Sequence, residues 1–88
     1  MVIKRFEDIQ AWQEARALRK LVYAATRTPV FGRDGRLCGQ IESAAVSVMA
    51  NIAEGFDGGT DIEFARFLQI AFRSATEVQS HSYAALDE

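Results

Sequence analysis

The sequence predicts an all-α protein, an antiparallel up-and-down helical bundle built from one domain over residues 1–88. Three observations predict it. Apolar residues recur at spacings of three and four along three stretches, the period of a helix with one buried stripe. The 88 residues hold a single proline and are rich in Ala, Leu, Gln, Glu and Arg, all good helix formers. No stretch shows the apolar–polar alternation of a half-buried strand. A content of 49% hydrophobic and 25% charged residues is that of a globular chain, with no material left for a second core.

Helices are expected at about 6–27, 36–55 and 61–86. In the first, Ala11, Ala15, Leu18, Val22 and Ala25 form one stripe and Leu21 widens it. Pro29 ends it, lacking an N–H and driving Thr28 out of the helical region. Val30 to Gly35, with two glycines and an Asp, reads as a loop. Leu37, Ile41, Ala44, Val48 and Ile52 make the second stripe, with Ala45, Met49 and Phe56 along one edge. Asp57-Gly58-Gly59 is the next break. Thr60-Asp61-Ile62-Glu63 has the form of a capping box, in which Thr60 meets the Glu63 N–H and Glu63 reaches back. The third helix carries Phe64, Phe67, Leu68, Ala71, Ala75 and Val78 on one face.

Three such helices bury a modest core. Large apolar residues also lie off the stripes: Ile9, Trp12, Tyr23, Ile70 and Phe72. A three-helix monomer leaves several of these in water, so self-association is expected.

The lone Cys38 excludes an internal disulfide framework and fits a reducing compartment. No apolar run approaches the ~20 residues that span a bilayer, and the start Met1-Val2-Ile3-Lys4-Arg5 lacks a secretory signal pattern. A cytoplasmic protein with no membrane partner is the expectation. Cys38 and the single His81 have no carboxylates at metal-ligand spacing, so no metal is expected. Gly55-Phe56-Asp57-Gly58-Gly59 follows a helix and no Lys-Ser/Thr closes it, so it is not read as a phosphate loop. With no nucleophile–base context either, neither a cofactor nor an enzymatic role is expected.

Two surface patterns remain. Gln40, Ser43, Ser47, Asn51 and Glu54 form a polar stripe beside the apolar one on the second helix. It is either a solvated face, a polar seam against another helix or subunit with Asn51 and Glu54 bonded across it, or the setting of Glu54 as a lone acid or base. On the first helix, Arg5, Trp12, Arg16, Arg19, Lys20, Tyr23 and Arg27 fall within about 100° of arc at 100° per residue. Residues 1–29 carry six basic and three acidic groups, residues 30–59 two and four, and residues 60–88 two and five. The chain is thus polarised although its net charge is −2. Such a basic face either neutralises phosphates and stacks unpaired bases on Trp12 or Tyr23, or is a solvated flank whose long side chains shield those rings.

The string Gln40-Ile41-Glu42-Ser43-Ala44-Ala45-Val46-Ser47-Val48-Met49-Ala50-Asn51-Ile52-Ala53-Glu54-Gly55-Phe56 resembles the signature of the four helix bundle proteins also called 23S rRNA intervening-sequence proteins. Glu63 to Ala71 with Ser74 to Val78, and the opening Phe6 to Gln13, are similar to the same family, so the resemblance covers nearly the whole chain. It implies a helical bundle assembling into rings, pentamers by preference, with no enzymatic activity. Some members are encoded within large-subunit rRNA genes, and relatives are the accessory variability proteins of diversity-generating retroelements, so RNA or DNA enters as a partner. A structural or protein-binding module is the alternative. Members commonly carry basic residues just after the Gln-Ile pair, where this chain has Glu42 and Ser43. The family fold has four helices and three are expected here; the chain is then either a shortened form, or intermolecular contact replaces the fourth helix.

Overall fold

Capping side chains set where two of the helices begin. A computed structural model describes residues 2–87 and contains three α-helices: α1 (Gln10–Thr26), α2 (Gly35–Asp57) and α3 (Asp61–Leu86). Asp34 caps α2, its carboxylate accepting the Leu37 N–H at 3.0 Å. Thr60 caps α3, its hydroxyl accepting the Glu63 N–H at 3.1 Å. The return half of the expected capping box is replaced: the Glu63 carboxylate turns forward to Arg66, 3.4 Å away. Gly58 donates to the Glu54 carbonyl at the end of α2, and Gly59 turns the chain with φ +81°, a conformation that favours glycine.

The helices run antiparallel. Thr26 meets Glu42 at one end of the α1–α2 pair, while Ala15 packs with Val48 and Ile52 toward the other. Gly55 lies against Phe64 and Phe67, and Ser47 meets Ser74, which fixes the opposite direction for α3. α2 is therefore central: both neighbours pack on it, whereas the α1 and α3 backbones hardly approach each other. The core has two clusters. Val22, Ile41, Ala44, Ala45 and Val78 form one, with Leu18 and Phe31 against it. Ala15, Val48, Ile52 and Ala71 form the other, with Ile9, Trp12, Met49 and Phe64 against it. Small residues predominate, and among the described residues no large side chain is fully enclosed.

Several expectations are corrected. The first helix does not start at residue 6. Phe6–Asp8 is a 3-10 turn, and Ile9 is extended (φ −76°, ψ 122°) before α1 begins at Gln10. The break has a packing cause. In one continuous helix Phe6 and Trp12 would point about 120° apart; the break brings their rings edge to face at 5.2 Å. It also turns Ile9 onto the second core cluster. Ile9 and Trp12 are thus partly covered inside the chain and do not join the surplus left to a partner. Leu21 does not widen the core stripe: it is 70% exposed, because no helix lies on that side of α1. Leu68 likewise stands half out of the core. The segment 30–35 is not wholly a loop, since Phe31–Arg33 form a 3-10 turn that sets Phe31 against the core and Gly35 already belongs to α2. Nor does Gly55 end the second helix, which continues to Asp57. The third helix occupies the expected 61–86.

Gly55 is inside the helix because the next helix leaves no room for a side chain. A Cβ there would lie 2.7 Å from the Phe67 Cβ and 3.1 Å from the Phe64 ring. Gly39, in the same helix, faces open space. Opposite outcomes are expected on chemical denaturation. Gly55→Ala should destabilise by about 1–3 kcal/mol through overpacking, while Gly39→Ala should stabilise by roughly 0.5–1 kcal/mol by lowering the entropy of the unfolded chain.

Candidate nucleic-acid interface

The basic residues of α1 occupy the side of the helix turned away from α3. Arg16, Lys20 and Arg27 are exposed, and Trp12, Arg19 and Tyr23 are half-buried among them. The rings are clasped by the chain's own guanidinium groups. Arg16 lies 5.8 Å from the Trp12 ring centre, and Arg19 and Arg27 lie 5.1 and 5.7 Å from that of Tyr23, all within cation–π range. Trp12 is further held by the Phe6 edge and by the second core cluster. Arg5 is not part of this register. It precedes the 3-10 turn in extended backbone, with its guanidinium 3.6 Å from the Glu7 carboxylate.

The charges on this flank have no counter-charge among the described residues. Among the described residues the ion pairs are Arg5–Glu7, Arg66–Glu63 and His81–Glu77, so Arg16, Arg19, Lys20 and Arg27 have no carboxylate within pairing distance. Positive groups with rigid planar heads and no internal counter-charge form a surface suited to anions such as phosphates. Stacking a base on Trp12 or Tyr23 would first require moving a guanidinium, so the accessible chemistry is charge and N–H donation.

The polar stripe of α2 is divided among three environments. Gln40 and Ser43 are exposed and line a shallow hollow of about 750 Å³ together with Gly39, Glu77 and His81. Ser47 faces α3, its Oγ 2.8 Å from that of Ser74. Asn51 turns back along its own helix, donating to the Ser47 carbonyl at 2.8 Å and to the Ser47 hydroxyl at 2.9 Å. Because Ser47 Oγ accepts from Asn51, its proton is free for Ser74. Glu54 is exposed. The bond that crosses between helices is thus made by Ser47, and neither Asn51 nor Glu54 makes it.

Sequence reasoning missed two contributors. Phe6 buttresses Trp12, and the only signal for it is its place in the opening string. Thr26, buried at the end of α1, donates to the Glu42 carboxylate at 2.6 Å. That bond ties α1 to α2 at the position where a basic residue was expected by resemblance. Beside it Cys38 is buried with its Sγ 3.4 Å from the Phe31 carbonyl and 3.8 Å from that of Thr26. Burial pushes its thiol above the ordinary value, and the Glu42 and Asp34 carboxylates push it further. Among the described residues no three His, Cys, Asp or Glu side chains converge on a point that could hold a metal, and no helix is long and apolar enough to cross a membrane.

The profile of the 23S rRNA-intervening sequence protein family matches residues 7–88. The chain belongs to this family. No curated protein and no solved structure matches it. The family match thus spans all three helices, with Trp12 to Arg27 of the basic flank and all of the polar stripe inside it and Arg5 outside.

The Cys38 thiol holds its proton more tightly in the folded chain than in the unfolded one. Its contribution is therefore intact at neutral pH and is lost as pH rises through the ordinary thiol range toward the raised folded value. Folded protein at about pH 7 should resist iodoacetamide far longer than urea-unfolded chain. The urea midpoint should fall between about pH 8 and pH 10, and the fall should shrink in Cys38→Ala.

Proposed function

We propose that this family member is a non-enzymatic, cytoplasmic, self-associating helical-bundle protein that binds RNA along the basic flank of α1. The observation that carries the reading is the set of four cations, Arg16, Arg19, Lys20 and Arg27, with no carboxylate partner among the described residues. Polyanionic backbones supply the missing counter-charge, and binding releases the counterions condensed on them. The cation–π contacts hold three of the guanidiniums in place before any ligand arrives, so less side-chain freedom is lost on binding. Because the ring faces are covered, contact is with phosphates more than with bases, and little sequence preference is expected. Repetition of the flank in an assembly adds avidity.

The absence of catalysis is supported by how the reactive groups are spread. Cys38 is buried with a raised thiol value, and Glu54 lies roughly 24 Å further along α2 at 1.5 Å per residue. His81 faces Glu77 across 3.8 Å on α3. A second reading, a protein-interaction module without nucleic acid, is favoured by one observation: Trp12 is engaged by Phe6 and the core, so its conservative explanation is packing.

Salt separates the two. With four phosphate contacts, affinity for single-stranded RNA should fall on the order of 50-fold between about 50 and 200 mM salt. Changing Arg16, Arg19 and Lys20 together to Glu should abolish binding, with helicity by circular dichroism unchanged. Retention of RNA by that variant sinks the nucleic-acid reading.

A further inference from the structure

The polar hollow between α2 and α3 is not used by the basic flank. Its volume of about 750 Å³ lies within the range of small-molecule sites. Its walls mix donors and acceptors. Arg36 and Gln40 bring N–H groups, Ser43 a hydroxyl, Glu77 a carboxylate, and His81 a half-buried imidazole. Ser47 meets Ser74, so counting along the antiparallel pair sets Gln40 across from His81 and Ala44 across from Glu77. Arg36 stands one turn beyond Gln40, and among the described residues it has no carboxylate within pairing distance.

Two glycines of α2, Gly35 and Gly39, border the hollow. Packing within the chain requires neither, since a Cβ at either position meets nothing within 4 Å. Gly55 differs, because the Phe67 Cβ accounts for it. A glycine inside a helix is destabilising relative to alanine, and Gly39 is inside one. What the two glycines leave is bare helix backbone, which a flat ligand approaches more closely than it approaches side chains.

The hollow and the basic flank share one face of the molecule. The cleft between α1 and α3 is lined by Ala15 and Leu18, by Val48 and Ile52, and by Leu68 and Ala75. At 100° per residue, Arg16, Lys20 and Tyr23 on α1 and Gln40 and Ser43 on α2 turn away from that cleft. A strand held on the flank therefore has only the width of α2, about 10 Å, to cross before a base lies over the hollow.

We infer that the hollow receives a guanine base. The inference rests on RNA binding by the flank and adds the base selectivity that the flank lacks. Guanine is chosen by the groups on the walls. Its N1–H and exocyclic N2 amino group point the same way, and one carboxylate accepts both; Glu77 is the carboxylate of the hollow. Adenine and cytosine each set an acceptor nitrogen beside the amino group, which a carboxylate repels. Uracil flanks its single N–H with two carbonyls. Guanine O6, on the same edge, accepts from the Gln40 amide, and the nucleotide's phosphate meets Arg36 at the open end. His81 offers a ring face for stacking. Phosphate alone is disfavoured by Glu77, and a divalent cation finds only Glu77 and His81 as ligating side chains there.

Fluorescence anisotropy with short labelled oligouridylates tests the inference, the central residue being uridine, adenosine or guanosine. The strand with guanosine should bind on the order of tenfold more tightly than the other two, the discrimination of one bidentate base contact. Glu77→Gln weakens the acceptor and Gly39→Leu fills the hollow; both positions are exposed. Each should erase the preference while helicity and binding of the all-uridine strand persist. Equal binding of the three strands by the unaltered chain, or a preference that survives both substitutions, overturns the inference and leaves phosphate binding by the flank standing. Free nucleotide separates the two claims. Guanosine monophosphate, and not adenosine monophosphate, should shift the amide resonances of Gly39 and Ser43, and changing Arg16, Arg19 and Lys20 to Glu should leave those shifts as they were. If no strand binds and the guanosine shifts persist, the flank reading alone fails and the hollow is a site for free nucleotide. If the two nucleotides act alike, the guanine site fails.

Discussion

The close approach of α3 to α2 is the contact on which the rest of the structure depends. It is possible because Gly55 has no side chain where the Phe67 Cβ and the Phe64 ring pass, and because the buried Ala44, Ala45 and Ala71 are small. Small residues bring backbones together and gain dispersion along the whole length, but each buries little area. α2 can therefore hold a helix on each side while the core stays thin. The same geometry keeps α1 and α3 apart, and a cleft between two helices that share one neighbour is its direct consequence.

Local signals and tertiary packing divide what was legible in the sequence. α3 was legible to its ends because Thr60 caps it and its apolar spacing is unbroken through Val78. α1 was misread at its start because nothing in the residues 6–9 forbids helix; the break depends on Phe6 finding Trp12, a contact absent from any local propensity. Gly55 looked like a terminator for the same reason: its role lies in the neighbouring helix. Leu21 and Leu68 were assigned to the core by periodicity, which identifies an apolar position without saying whether an element is present to cover it. In the candidate interface, the arc from Trp12 to Arg27 could be placed from helical spacing alone. The clasping of its rings and the loss of Arg5 to Glu7 could not, because they depend on rotamers and on where the helix begins.

Charge and apolar surface are segregated along the same rod. Around α1 at 100° per residue, the basic flank centres nearly opposite the Leu18–Leu21 side, with the α2 contact between them. The helix thus has three jobs on three arcs. Thr26 and Glu42 pin its far end, satisfying a buried hydroxyl and a half-buried carboxylate together, and this keeps the arcs from rotating relative to α2.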